Sequence, residues 1–556
     1  MANRTKKKKS LPGKKVSAQT SRAHSNKGMS AKLAWIDKKI LLQAFLLIAA
    51  GLWVFWPALS GDWIWDDYLL IINNSKLRGW SGLWDIWFAA PMIDYWPLSW
   101  TVLWVEWQLW GNHPLGYHLL SLALHLGSGF LVWRILSRLG LPGGWMGGLL
   151  FVIHPLAVES VAWISEIKNT LSLPLFLLSF DAWLDAEENQ KNSSYLRSVL
   201  YYLAAMLAKT SVVMLPLVLL FYGWWKRGKI TRREIWRVAP FGSIALILGL
   251  VTVYFQSHGE EVDAIKMGGF FERMLGAGLA LCFYLGKFLW PTELLPIYSK
   301  WVLNPPSLIL ILPIPLLIIL MVGLWIQRKS WGRHALFGFV FFVLNLLPVL
   351  GLVKMLYLNI SPVADHLVYL PMIGLIGLVV AGVGQVERKL TEAMRSVGEI
   401  VLTVVLILLT WESHLYAEKF INQETLWSYA LQYNPQAYLA HNNLGYALLQ
   451  AGRTVEAKEH FEQALRLKPD YAEAYYNLGT NFLQMGQPSK AMGQFEQALK
   501  FKPNYAEAHN NLGVALAQND QVLEAANHFE QALKLNPNYV AARDNLTRLK
   551  AGRAKN

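Results

Sequence analysis

From residue 40 to about residue 415, apolar runs of 18 or more residues recur along the chain, separated by polar breaks. As a helix rising 1.5 Å per residue, each run is about long enough to cross a hydrocarbon core of roughly 30 Å. The pattern predicts spanning helices near 41–59, 116–138, 143–162, 168–186, 197–208, 211–225, 238–256, 307–327, 333–353, 366–384 and 397–414. A further run at 272–290 brings the expectation to about 11–12 helices; loop parity requires either that this run lies along or dips into the outer surface or that the short pair 197–225 crosses only once.

Beyond residue 415 the period changes. Pro435, Pro469, Pro503 and Pro537 stand 34 residues apart, and Asn443-Leu444-Gly445, Asn477-Leu478-Gly479 and Asn511-Leu512-Gly513 repeat at the same step. Leu-Gly in a first helix, "FEQAL" in a second and Pro at the closing turn form the pattern of the tetratricopeptide repeat, a stacked helical hairpin. Three full repeats are expected at 436–469, 470–503 and 504–537, led by a half unit at Glu424 to Asn434 and capped by a helix at Tyr539 to Lys550. The predicted class is therefore all-α, with a polytopic membrane domain over 40–415 and a repeat solenoid over 416–552 whose groove suits an extended polypeptide.

Composition supports this division and charge orients it. Hydrophobic residues make up 54% of the chain, charged residues 16%, and 26 residues are Trp, which excludes an ordinary soluble protein. The formal charge of +14 comes mostly from residues 1–39, which carry twelve Lys or Arg and one Asp. Without a core-forming pattern this segment reads as a disordered basic cytoplasmic tail that attracts anionic membrane lipids; no aromatic or structured element marks it for nucleic acid. The run from Leu41 is too long for a signal-peptide core and is expected to be a retained anchor. Basic loops at Lys226–Arg237, Gln327–Arg333 and Val386–Arg395 should also be cytoplasmic, which leaves Trp63–Tyr95, Ser257–Arg273, Pro291–Pro306, Lys354–Leu370 and the solenoid outside. The single cysteine, Cys282, can form neither an intrachain disulfide nor a cysteine-pair metal site.

Candidate chemistry gathers on the outer side. In "WIWDDYLLIINN", Asp66 and Asp67 sit where the first span ends. They could complement a helix N-terminus, or one could act as a general base held by its neighbour's charge. The stretch "HPLAVESVAWISEIKNTLS" brings His154, Glu159, Glu166 and Lys168 to the outer end of a helical hairpin. His154 and Glu159 are five residues apart, off a common metal-binding face, so they read as a hydrogen-bonded wall, with a divalent metal site the minor reading. Lys209, in "LAKTSVVMLPL", is either a snorkelling structural lysine or the cation for a lipid phosphate. Lys287 and His366 are lesser candidates for the same anion. No glycine-rich nucleotide loop follows a strand pattern, so a donor would have to arrive on a lipid.

These stretches resemble a known family. "WDDYLLIINN", "YWPLSWTVLW" through "GNHPLGYHLLSLALH", "HPLAVESVAWI", "AKTSVVMLPLVLLFY" and "VADHLVYLPMIG", followed by the repeats, are similar in content and order to the transmembrane and tetratricopeptide-repeat O-mannosyltransferases and their bacterial relatives. The resemblance covers nearly all of 41–550 and implies the GT-C glycosyltransferase fold. It also implies an inverting transfer from an undecaprenyl- or dolichyl-phosphate sugar to an outer-face acceptor, such as Ser or Thr of a protein. It maps the acceptor-activating acid onto Asp66 or Asp67 and makes Lys209 the first candidate for the lipid phosphate. The family commonly has Arg where this chain has His366, and a neutral imidazole lacks Arg's bidentate fork. Compact length and short outer loops suggest a bacterial inner membrane. A non-catalytic repeat scaffold for envelope assembly and a lipid-linked glycan polymerase or ligase are the alternative readings.

Overall fold

A computed structural model describes residues 38–88, 95–257, 268–353 and 355–553, and among these every regular element is helical. The expected basic tail falls almost wholly outside them. A helix lies in each of the twelve apolar segments. Six are long and apolar enough to cross a membrane: Lys38–Leu59, Pro114–Arg138, Arg232–Phe255, Leu308–Lys329, Gly332–Val349 and Glu392–Phe420. A pair bent by 59°, Gly144–Ile153 with Pro155–Ala162, makes a seventh if counted as one span. The chain is a multi-pass membrane protein. The expected 11–12 spans exceed this number for physical reasons: Ile167–Asn189 carries Asp181, Asp185, Glu187 and Glu188 in its last turns, Asn192–Ala208 stops at Lys209, and Met372–Glu387 has 16 residues.

Two breaks in helices follow from local sequence. Pro155 pushes His154 into an extended conformation (φ −76°, ψ 130°), and the His154 Nδ1 then accepts the Leu156 N–H at 3.2 Å to start the next turn. Lys209 is likewise extended (φ −158°, ψ 124°) between Asn192–Ala208 and the short helix Thr210–Met214, so its side chain leaves the chain at a helix end.

The helix Ile167–Asn189 has opposite chemistry at its two ends. Glu166 precedes its start, while near its finish Asp181 meets Arg138 at 2.6 Å and Glu187 meets Arg227 at 3.2 Å and Arg237 at 3.4 Å. At 1.5 Å per residue, Asp181 and Glu187 lie about 22 and 32 Å along the helix from Glu166. The basic loop Lys226–Arg237 is thus fastened to the end remote from Glu166.

The repeats form three helix pairs, Tyr438–Gln450 with Thr454–Leu467, Ala472–Gln484 with Pro488–Phe501, and Ala506–Gln518 with Val522–Leu535, followed by Val540–Arg553. The leading half unit is the helix Gln423–Tyr433. It docks on the loop after helix Phe270–Leu289: Tyr429 donates to the Leu294 carbonyl at 2.9 Å and Asn434 to the Ile297 carbonyl at 3.3 Å, while just before the helix the Ile421 carbonyl accepts the Asp62 N–H at 2.8 Å.

The glycine of each Leu-Gly pair faces a fully or nearly fully buried Phe of the partner helix. A Cβ at Gly445, Gly479 or Gly513 would come 2.8, 2.7 and 2.7 Å from Cε1 of Phe461, Phe495 and Phe529. Gly479→Ala should therefore destabilise the solenoid by about 1–3 kcal/mol through overpacking, read as a lowered Tm of the solenoid's helical signal.

Candidate active site

The two adjacent aspartates have different surroundings. Asp67 is fully buried, and three donors converge on its carboxylate: the Ile64 N–H at 3.0 Å, the Ser165 N–H at 2.9 Å and the Ser165 hydroxyl. It fastens the loop after helix Lys38–Leu59 to the turn before helix Ile167–Asn189. Burial pushes its carboxyl up to about 7, against the lowering effect of these hydrogen bonds. It does not cap the short helix Tyr68–Ile72, whose start has no side-chain hydrogen bond.

Asp66 is only partly buried, and its carboxylate has no hydrogen-bond or ion-pair partner among the described residues. Burial raises it to about 6, opposed by the nearby Lys168 ammonium and reinforced by the Glu166 carboxylate, with His366 also lowering it. An aspartate so placed can take up a proton near neutral pH.

Glu166 organises the cations beside Asp66. Its Oε1 lies 2.6 Å from the Lys168 ammonium; its Oε2 accepts from Asn169 Nδ2 at 2.5 Å and stands 3.8 Å from Lys209 Nζ. Burial alone would raise the Glu166 carboxyl, but His366, Lys168 and Lys209 hold it down at about 2. Lys209 Nζ donates to Asn169 Oδ1 at 2.5 Å. Asn169 Nδ2 also reaches the His366 carbonyl at 3.3 Å, tying the segment of Asp365 and His366 to the same cluster. Lys209, Asn169, Ser211, Asn345, His366 and Tyr369 are among the residues lining a cavity beside this network.

The remaining sequence candidates take quieter places. Glu159 is fully buried, accepts the His366 N–H at 2.9 Å and faces His366 Nδ1 at 3.2 Å, so the two form a pair across 207 positions of chain. His154 has both ring nitrogens engaged, with Leu156 N–H and with the Phe288 carbonyl at 3.1 Å, and stacks on the Phe288 ring at 4.9 Å; it braces a helix break. Lys287 donates to the Thr292 and Glu293 carbonyls at 2.6 and 3.1 Å and so closes a turn. Among the described residues no group of three or more His, Cys, Asp or Glu side chains comes together as a metal site.

Sequence reasoning passed over Asn169 and Asp365. Asn169 follows Lys168 directly, and an amide one place beyond two charged residues carries no signal of its own. Asp365 stood inside a quoted motif and is fully buried, accepting from the Tyr298 hydroxyl at 2.8 Å and the Tyr416 hydroxyl at 3.1 Å. Burial and the Glu159 carboxylate raise its pKa well above the ordinary aspartate range.

Comparison with known proteins points the same way as these motifs. Human protein O-mannosyl-transferase TMTC4 is 24% identical over 483 residues, covering 72% of this chain and 63% of the human protein. The Drosophila melanogaster protein O-mannosyl-transferase Tmtc3 is 21% identical over 518 residues, covering 76% of this chain and 55% of the fly protein. The chain is similar to protein O-mannosyl-transferases. It spans less than two thirds of the length of these relatives. The tetratricopeptide repeat family matches residues 436–504 and again 476–540. Among solved structures, the Arabidopsis OM64 TPR domain is 23% identical and covers 21% of this chain and 96% of that domain, with a TM-score of 0.21.

Proposed function

We propose that the chain transfers a sugar, mannose by the names of its relatives, from a polyprenyl-phosphate carrier to a Ser or Thr hydroxyl of a polypeptide on the outer face of a membrane. The observation that carries this reading is the contrast between the two aspartates: Asp67 is consumed by three donors, whereas the Asp66 carboxylate has no hydrogen bond among the described residues and lies beside a cation cluster.

Asp66 takes the proton of the acceptor hydroxyl as its oxygen bonds to the anomeric carbon. The bond from that carbon to the phosphate oxygen breaks on the opposite side, and polyprenyl phosphate leaves with the electron pair. Because the leaving group is already an anion it needs no acid, only positive charge close by, which Lys209 supplies with Lys168 behind it. Glu166 and Asn169 hold these cations in place before substrate arrives, so little reorganisation accompanies the step. The solenoid keeps an extended acceptor near the site and raises its effective concentration. The carrier is undecaprenyl phosphate if the membrane is a bacterial inner membrane, with the basic tail cytoplasmic and the solenoid periplasmic.

The test is mass spectrometry of protein-linked glycans and lipid-linked sugars from cells with and without the gene. The expected result is loss of a Ser- or Thr-linked hexose on extracytoplasmic proteins, with its polyprenyl-phosphate donor accumulating. Unchanged protein glycans would point to a scaffold, and an altered lipid-linked glycan length to a polymerase or ligase.

A further inference from the structure

We propose that Trp427, on the first helix of the solenoid, is a positioning residue for Asp66 and acts through the indole of Trp65. This rests on Asp66 being the base, as argued above.

Trp65 directly precedes Asp66 and adopts φ +46°, in the left-handed region. A bulky residue is uncommon there and stays only where its surroundings hold it. Three aromatic rings surround it. Trp163 stacks on it with centroids 4.7 Å apart and planes within 6°, Trp427 meets it edge-on at 4.9 Å and 72°, and Tyr357 lies at 6.4 Å. Offset and edge-on pairs of this kind are favourable beyond the area they bury. Trp427 is itself fully buried, on the helix Gln423–Tyr433 that Tyr429 and Asn434 fasten to the loop at Leu294 and Ile297.

Asp66 is therefore bracketed. The residue before it is gripped by rings from the turn at Trp163 and from the solenoid, and the residue after it by Ser165 of that same turn. Between these two clamps the Asp66 carboxylate has its direction set by the backbone on either side of it, with no side-chain hydrogen bond to another described residue. Removing the Trp427 ring opens one side of the cage around Trp65, lets that residue return to negative φ and turns Asp66 towards water. The solenoid's first helix then serves the reaction directly, in addition to anchoring the repeats that gather acceptor.

The test uses the full-length chain in membranes and two independent readouts on Trp427→Ala, Trp427→Phe and, as a control on an exposed position of the same helix, Tyr433→Ala. The first readout is carbodiimide labelling of Asp66, followed by mass spectrometry between about pH 4 and pH 7, which reports the protonation midpoint of that carboxyl without substrate. The second is transfer from polyprenyl-phosphate mannose to an extracytoplasmic protein fraction. Trp427→Ala should move the labelling midpoint about one pH unit lower and reduce kcat at least about tenfold, with the acceptor KM changed less than about threefold. Trp427→Phe, which keeps a ring, should shift both in the same direction by less, and Tyr433→Ala should match the parent. If Trp427→Ala does not fold, the Phe variant decides: a parental labelling profile and parental kcat in Trp427→Phe overturn the proposal, as they would in the Ala variant. Absence of transfer in the parent chain, with the midpoint still moved by Trp427→Ala, would overturn the glycosyltransferase reading and leave the positioning contact standing.

Discussion

Asp66→Asn should abolish transfer, lowering kcat by about 10³-fold, while the chain still folds and inserts. The expectation follows from the unequal positions of two neighbouring carboxylates. A general base contributes about 10²–10⁴-fold, and the amide that replaces Asp66 cannot accept the hydroxyl proton. No hydrogen bond within the described protein is lost with it, so folded yield should be near that of the parent. Asp67→Asn should behave oppositely. It turns an acceptor of three hydrogen bonds into a group with one acceptor oxygen and an N–H₂ facing donors, which costs about 1–3 kcal/mol of stability. Activity per folded molecule should survive.

Acidity separates the two residues again. The base must be ionised, so the parent's kcat/KM should halve near pH 6, where Asp66 titrates, and fall about tenfold per unit below that. For Asp67 the folded carboxyl is raised from 3.8 to about 7, so the folded state binds its proton more tightly than the unfolded state. Its contribution to stability is fully present below about pH 4 and is lost as pH rises towards 7; Asp67→Asn should remove that slope from a plot of Tm against pH.

Lys209→Met should reduce transfer by about 10²–10³-fold, the range seen when one stabilising charge is removed from a transition state. A loss alone would not separate a role at the lipid phosphate from a role in balancing Glu166, which stands 3.8 Å away. The double change Lys209→Met with Glu166→Gln separates them. If Lys209 only neutralises Glu166, removing both charges relieves the buried carboxylate and restores activity. If it stabilises the departing phosphate, the double variant stays at the level of Lys209→Met or below it, because Lys168 also loses the carboxylate that holds it at 2.6 Å. The measurement is initial rates at saturating donor, with protein quantified in the same membranes.

The repeat architecture was legible because its signal is periodic: prolines and Leu-Gly pairs at a 34-residue step locate each hairpin. The apolar segments were legible as helices, though several proved too short or too charged to meet the length and hydropathy of a span. The candidate site was legible as a set of residues that meet in space. Asp66, Glu166, Lys168, Lys209 and His366 do come together, drawn from chain positions up to 300 residues apart. What the sequence could not express was how work is divided within the cluster. Adjacent aspartates look alike in a string of letters and differ only once Ser165 closes on one of them. His154 looked like part of a site wall because a buried imidazole is costly, and that cost is met by backbone partners brought together only by the fold. Trp65 gave no sign at all, because neither its positive φ nor its ring partners 98 and 362 residues away leave a local mark.

The docking of helix Gln423–Tyr433 also sets where this protein can be taken apart. A boundary drawn at residue 415, where the composition changes, would remove that helix with the repeats and strip the loops at Trp65 and at Leu294–Ile297 of Trp427, Tyr429 and Asn434. The natural seam lies after Asn434, between the docked helix and Tyr438–Gln450. Chimeras that test whether the repeats choose the acceptor should be joined there, so that the borrowed repeats are exchanged while the recipient keeps the helix docked on its own loops.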